Sequence, residues 1–294
     1  MTVAGTRVTL YAVRLPGDAS PASTRAPGWP RSADLEAARL EEVATLDVAG
    51  VPESAATLPA RSPGAGRDAL VLTFRDAKAV VLDWDEAAGE IRPTSLHALA
   101  GVADAAGRVS FPRAPRAAAD PEGRAAAVAL HGCQLAVLPA LDADEIDDLL
   151  AADAPLGPSG ASAPPRLLPA TVGNAALSDL SAHGVTDVVD LAFLHGAATP
   201  TLAILHAPSP VWAGTAAGAG GDGRALVALA LDPGGARPPT RLWSVGALPA
   251  DARSLAPAPG GGVMVVCKRL LLFASSSGGA RADAPAALAL APSA

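Results

Sequence analysis

The chain has 294 residues, half of them apolar and 17% charged, with a formal charge of −7. That apolar content excludes wholesale disorder, and the acidic balance argues against a surface that grips a phosphate backbone unaided. Aromatic residues make up only 3%, and 29 Gly and 28 Pro interrupt the chain too often for long unbroken helices.

In chain order, residues 8–15 read as a strand from their β-branched and aromatic content, closed by Pro16-Gly17-Asp18. With residues 1–4 they are read as a clipped first hairpin. A Pro-rich loop follows over 20–31. Ser32 as N-cap and Glu36 in the first turn predict a helix over 34–43, continued by a strand over 43–48. Residues 51–67 read as a Pro/Gly/Ala loop. The clearest hairpin comes next, with arms 69–74 and 79–84 around Arg75-Asp76-Ala77-Lys78. A turn at 85–90 leads into a strand over 91–99, and the Pro/Arg alternation of 108–117 reads as an exposed extended segment.

The hairpin recurs as 125–130 and 135–138 around His131-Gly132-Cys133-Gln134. The acidic stretch 141–153 predicts a short helix, and 154–169 is a low-complexity insertion, read as flexible. Residues 188–194 and 201–205 give another copy, 226–231 pairs with 241–245 across the loop 232–240, and 262–266 with 270–273 flank Cys267-Lys268-Arg269. Residues 275–294 lack periodicity and read as a disordered tail.

These hairpins alternate poorly. Leu70-Val71-Leu72 and Val263-Met264-Val265-Val266 are apolar on both faces, whereas a strand in an open antiparallel sheet alternates because one face is wet. Strands of this kind belong to sheets covered on both sides, as in the stacked blades of a propeller. The fold class is therefore all-β, with the stacked sheets of a β-propeller and Pro/Gly/Ala-rich loop insertions. Copies recur every ~55–75 residues, against roughly 40–50 for an ordinary blade, and the loops account for the excess.

Chemistry-bearing motifs are weak. Gly218-Ala219-Gly220-Gly221-Asp222-Gly223 fits the dinucleotide fingerprint in letters, but a loop precedes it and a strand follows, the reverse of what pyrophosphate binding at a helix N-terminus needs. The acidic run from Asp142 to Asp148 begins like a calcium loop, yet Asp147 and Asp153 stand where Gly and Glu are required. His97, His131, His183, His195 and His206 form no metal-ligand spacing, and neither a nucleophile elbow nor a Walker loop occurs. No catalytic, cofactor or metal residue is assigned, and no enzyme activity is expected. Cys133 and Cys267 read as ordinary half-buried thiols in a reducing compartment. Trp84, Trp212 and Trp243 read as strand-end anchors. Arg7 and Arg14 interrupt any leader peptide, and charges or prolines break the two most apolar stretches, so a soluble protein is expected.

The turns and their flanks carry a resemblance. Arg67-Asp68-Ala69-Leu70-Val71-Leu72-Thr73-Phe74-Arg75-Asp76-Ala77-Lys78, then Ser95-Leu96-His97, Pro115-Arg116, Asp120-Pro121-Glu122-Gly123-Arg124 and Leu135-Ala136-Val137-Leu138-Pro139 follow in order. Asp190-Leu191-Ala192-Phe193-Leu194-His195-Gly196 with Pro200-Thr201-Leu202, Trp243-Ser244, Leu248-Pro249 and Gly261-Gly262-Val263 complete the series. This wording is similar to the N-terminal first-propeller region of the largest subunit of the cleavage and polyadenylation specificity factor. Thr199 replaces a family Glu, and Ala197-Ala198 replace bulkier residues, which implies looser blade packing.

The resemblance implies a partial first propeller over 1–274, about five of seven blades, within a longer scaffold, the chain being a fragment. It implies a non-enzymatic, nuclear role in pre-mRNA 3′-end processing. The chain would organise a WD-repeat subunit and a zinc-finger subunit that read the polyadenylation signal, with pre-mRNA held mainly through those partners and at most weakly by the chain itself. The alternative is a related propeller adaptor of a ubiquitin-ligase, DNA-repair or splicing complex.

Overall fold

The computed structural model describes residues 2–14, 38–60, 68–99, 114–130, 133–141, 145, 172, 174–208 and 223–283. They divide into two compact units, Met1–Pro52 with Trp84–Arg92, and Glu53–Asp83 with Pro93–Ala294.

In the first unit, β1 (Thr2–Ala4), β2 (Arg7–Arg14) and β3 (Arg39–Asp47) form a sheet in that order. The helix predicted over 34–43 is corrected over its second half. Residues 39–47 are strand, laddered onto β2 from Arg14↔Arg39 to Arg7↔Asp47. The Glu/Ala/Leu content favours helix, but β2 offers a backbone ladder along its whole length, with one register shift at Leu10/Tyr11. Arg7–Asp47 (3.0 Å) and Arg14–Glu41 (2.8 Å) join it across the strands. Residues 34–37 lie outside the described chain. In the same unit Asp85 caps its turn by accepting from the Ala87 and Ala88 N–H groups, and Arg92 reaches its carboxylate at 3.1 Å.

The second unit is built from meanders in which each strand lies beside its sequence neighbour. β4 (Pro52–Leu58), β5 (Ala69–Phe74), β6 (Lys78–Asp85) and β7 (Glu90–Ala98) form one sheet, whose hairpin tip belongs to the first unit. The next sheet is β8 (Arg116–Ala119), β9 (Ala125–Ala129), β10 (Gln134–Pro139) and β11 (Ala176–Asp179). A third is β12 (Val188–Phe193), β13 (Thr201–His206), β14 (Arg224–Ala230) and β15 (Thr240–Leu248). The last is β16 (Ser254–Pro257), β17 (Val263–Val266), β18 (Leu270–Ser275) and β19 (Gly278–Asp283).

Three buried clusters lie between successive sheets of this unit, and the middle strands feed two of them at once. On β9, Ala126 and Val128 enter the cluster shared with β5 and β6, while Ala125, Ala127 and Ala129 enter the one shared with β13 and β14. On β13, Leu202 and Ile204 face back, and Ala203 and Leu205 face forward toward β17. This is the physical reason for strands apolar on both faces. The first strands of successive sheets stand side by side, β12 between β8 and β16. Stacked four-stranded meanders with their first strands innermost are the arrangement of propeller blades.

Several expectations are corrected. Residues 51–67 contain β4, which the sequence conceals behind Ala and Pro. The segment 108–117 ends in an inner strand, β8, since residue 116 onward finds β9 as partner. The hairpin at 188–194 and 201–205 comprises the first and second strands of its sheet, whereas the other copies in this unit are second and third strands. The region 275–294 contains β19, paired with β18 from Leu270↔Asp283 to Ser275↔Gly278, because Ser275 and Gly278 close a tight turn. Residues 284–294, the insertion 154–169 and nearly all of the acidic stretch 141–153 lie outside the described residues, as does the hairpin turn His131-Gly132. No helix among the described residues is long and apolar enough to cross a membrane.

Candidate interaction face

One end of the second unit's sheets is closed by the turn between β8 and β9, Asp120–Arg124. The Asp120 carboxylate is fully buried and accepts twice from the Arg124 guanidinium, at 2.6 Å from Nε and 3.1 Å from Nη2. Such a bidentate pair fixes the guanidinium plane as well as its charge. Hydrogen bonding to Asp120 holds the Arg124 pKa above its ordinary value. Arg124 then donates to the carbonyls of Ala197 (2.9 Å) and Ala198 (3.0 Å) in the β12–β13 turn. Gly123 makes this possible: its φ is +70°, and a Cβ there would stand 2.4 Å from the Pro59 carbonyl oxygen just after β4. One turn thus touches the sheets on both sides. The segments Asp120–Arg124 and 193–200, separate words in the sequence, are one contact in space.

The inner strands are cross-tied as well. Ser54 of β4 accepts from the Ala117 N–H of β8 at 3.0 Å. Asp190 of β12 accepts from the Leu255 N–H of β16 at 2.8 Å and from Arg116 of β8 at 3.2 Å. The hairpin turn 75–78 is held locally: Ala77 sits at φ 55° and donates to the Phe74 carbonyl, while the Lys78 ammonium lies 4.5 Å from the Phe74 ring centre.

The titratable groups weighed in the sequence do not converge. His97 shares a hydrogen bond with Ser95 (3.0 Å) and is held below its ordinary pKa by burial. His183 closes the 3₁₀ turn Leu180–His183, and His195 lies in the β12–β13 turn. His206 is buried at the end of β13, its Nδ1 without a hydrogen-bond partner among the described residues. Burial lowers its pKa, with Asp187 opposing. The Cys133 thiol donates to the Thr186 carbonyl at 2.6 Å, and burial raises the pKa of both Cys133 and Cys267. Among the described residues no three His, Cys, Asp or Glu side chains gather as metal ligands. Trp243 packs beside the third cluster, and Trp212 lies outside the described residues, as does the glycine run before Gly223.

At the opposite end of these sheets, an open pocket of about 530 Å³ lies among Arg116, Val189, Arg224, Ala250, Asp251, Ala252, Arg253 and Lys268. Its four basic side chains come from β8, β14, the residue before β16, and the β17–β18 turn. No sequence spacing signals it, because stacking alone brings these segments together.

No family model matches the chain. Curated relatives do. Cleavage and polyadenylation specificity factor subunit 1 of Arabidopsis thaliana is 34% identical over 245 residues, 81% of this chain and 16% of the relative. The subunit 1 of Drosophila melanogaster is 31% identical over 221 residues, 73% of this chain and 15% of the relative. Protein cft1 of Neurospora crassa is 30% identical over 275 residues, 84% of this chain and 18% of the relative. The chain therefore spans about a sixth of the length of the curated relatives it matches. With relatives 30–34% identical along 73–84% of its length, the chain belongs to the family of the largest subunit of the cleavage and polyadenylation specificity factor.

Proposed function

We propose that this chain works in the cleavage and polyadenylation of pre-mRNA in the nucleus, as part of a non-enzymatic scaffold. The observation that carries this reading is the match to relatives named as polyadenylation specificity factors, which runs along 81% of the chain. Its stacked sheets add physical sense. Rigid meanders cross-tied by Asp120–Arg124 and Asp190 hold loops at fixed positions, and loops on a rigid frame are suited to binding other proteins. In this reading the chain organises a WD-repeat subunit and a zinc-finger subunit, and pre-mRNA is held mainly by those partners. An acidic chain poor in aromatics is consistent with that division of labour. The partial propeller would extend from the first strand through β18, the sheets being blades of a ring larger than the described residues.

Affinity purification of the tagged protein from its source cells tests the reading. Recovery of polyadenylation factors, with cleavage activity in the eluate, is the expected result. Recovery of a cullin scaffold or of splicing factors in their place would assign the chain to the related adaptor class.

A further inference from the structure

The open pocket at the end away from the Asp120–Arg124 turn has a chemistry of its own. The chain as a whole is acidic, with a formal charge of −7, yet among the described residues the pocket is lined by Arg116, Arg224, Arg253 and Lys268 and by one carboxylate, Asp251. That carboxylate is occupied by the fold, accepting from the Lys268 backbone N–H at 3.0 Å. Asp190, behind Arg116, is occupied too, between the Arg116 guanidinium and the Leu255 N–H. Both acids thereby fix the frame on which the cations stand. Arg253 and Lys268 are exposed, and their backbones are anchored: Arg253 donates to Val266, and Cys267, next to Lys268, donates to Leu270. Val189, Ala250 and Ala252 supply an apolar lining.

We propose that this pocket docks a carboxylate-rich segment of a partner protein. Guanidinium groups pair with carboxylates in fork geometry, and the apolar lining suits the methylenes of a glutamate. At about 530 Å³ the pocket is within the usual range of recognition sites, roughly 300–1,000 Å³, and takes side chains, not a folded domain. The chemistry disfavours single-stranded RNA as occupant. Among the described residues no aromatic ring lines the pocket on which a base could stack. This docking does not depend on the assembly proposed above, since co-purification can fail while the peptide still binds, and the reverse.

The test is fluorescence anisotropy of labelled oligoglutamate on the purified protein, with oligoglutamine and oligouridine of equal length alongside and a melting curve for every variant. Oligoglutamate binds and oligoglutamine does not, and affinity falls as salt rises from about 50 to about 150 mM. Changing Arg253→Glu and Lys268→Glu together weakens oligoglutamate by at least about tenfold, whereas Arg241→Glu, an exposed charge on β15 outside the pocket, leaves it unchanged. If the double change lowers the melting temperature, Arg253→Gln with Lys268→Gln is read in its place, with the same direction expected. The proposal is overturned if oligoglutamate does not bind, if the pocket variants bind as well as wild type, or if Arg241→Glu costs as much. It is also overturned if oligouridine displaces the peptide at equal or lower concentration, which would assign the pocket to nucleic acid.

Discussion

The sheet β12–β15 and the sheet β16–β19 are written in the same residues and end in different environments. In the first, Leu202, Ile204, Val227 and Leu229 enter one cluster and Ala203, Leu205 and Leu226 enter the next, every one of them buried. In the second, Val263, Val265 and Ala274 are buried against β12–β15, with Leu270 and Leu272 packed at the margin. The other face carries Met264, which is 39% exposed, with Val266, Leu271 and Phe273 half-buried. Strand composition alone therefore does not report burial. A neighbouring sheet supplies it.

The comparison can be broken most severely where adjacent sheets are tied. Arg124→Ala leaves the Asp120 carboxylate buried without its cation and releases the β12–β13 turn, a loss of about 3–5 kcal/mol. Urea denaturation should show a lower midpoint at unchanged slope, and recovery of the midpoint by Asp120→Asn on top of Arg124→Ala would identify the stranded charge as the cause. Ile204→Ala, at 0% exposure between two sheets, should cost about 2–5 kcal/mol. Leu271→Ala on the half-exposed face should cost about 1 kcal/mol, and equal losses at the two sites would refute the contrast drawn above.

A pH titration sharpens the same contrast from within β13. Burial depresses the His206 pKa below its ordinary 6.5, so the folded chain binds fewer protons than the unfolded one as pH falls past that value. Stability is full above about pH 6.5 and declines below it, until pH drops beneath the folded pKa. His206→Leu should flatten part of the fall in melting temperature between about pH 7.5 and about pH 5.5, leaving the share due to His97, which burial shifts the same way. The smallest effect is expected for Met264→Lys, within about 0.5 kcal/mol, because its side chain is already 39% in solvent.

Much of the fold is legible in the residues. Two-sided apolar runs such as Leu70-Val71-Leu72 and the turn residues between them mark the hairpins and imply stacked sheets. Strands poor in β-branched residues were hidden: β4 and β8 read as loop and exposed segment, and β3 read partly as helix, because Ala, Glu and Leu carry helical propensity that a backbone ladder overrides. The functional surface was less legible still. Asp190 gives no local sign that it joins three inner strands, nor Arg116, Arg253 and Lys268 that they share a pocket.

The sequence by itself determined that the chain is all-β, that its hairpins stack, and which family its turns belong to. Those are properties of local patterning, set by turn geometry and by apolar faces that must leave water. Tertiary structure alone decided which turns touch, which carboxylates are consumed as ties, and which cations line one pocket. These depend on distances between segments far apart in the chain, which no local spacing encodes.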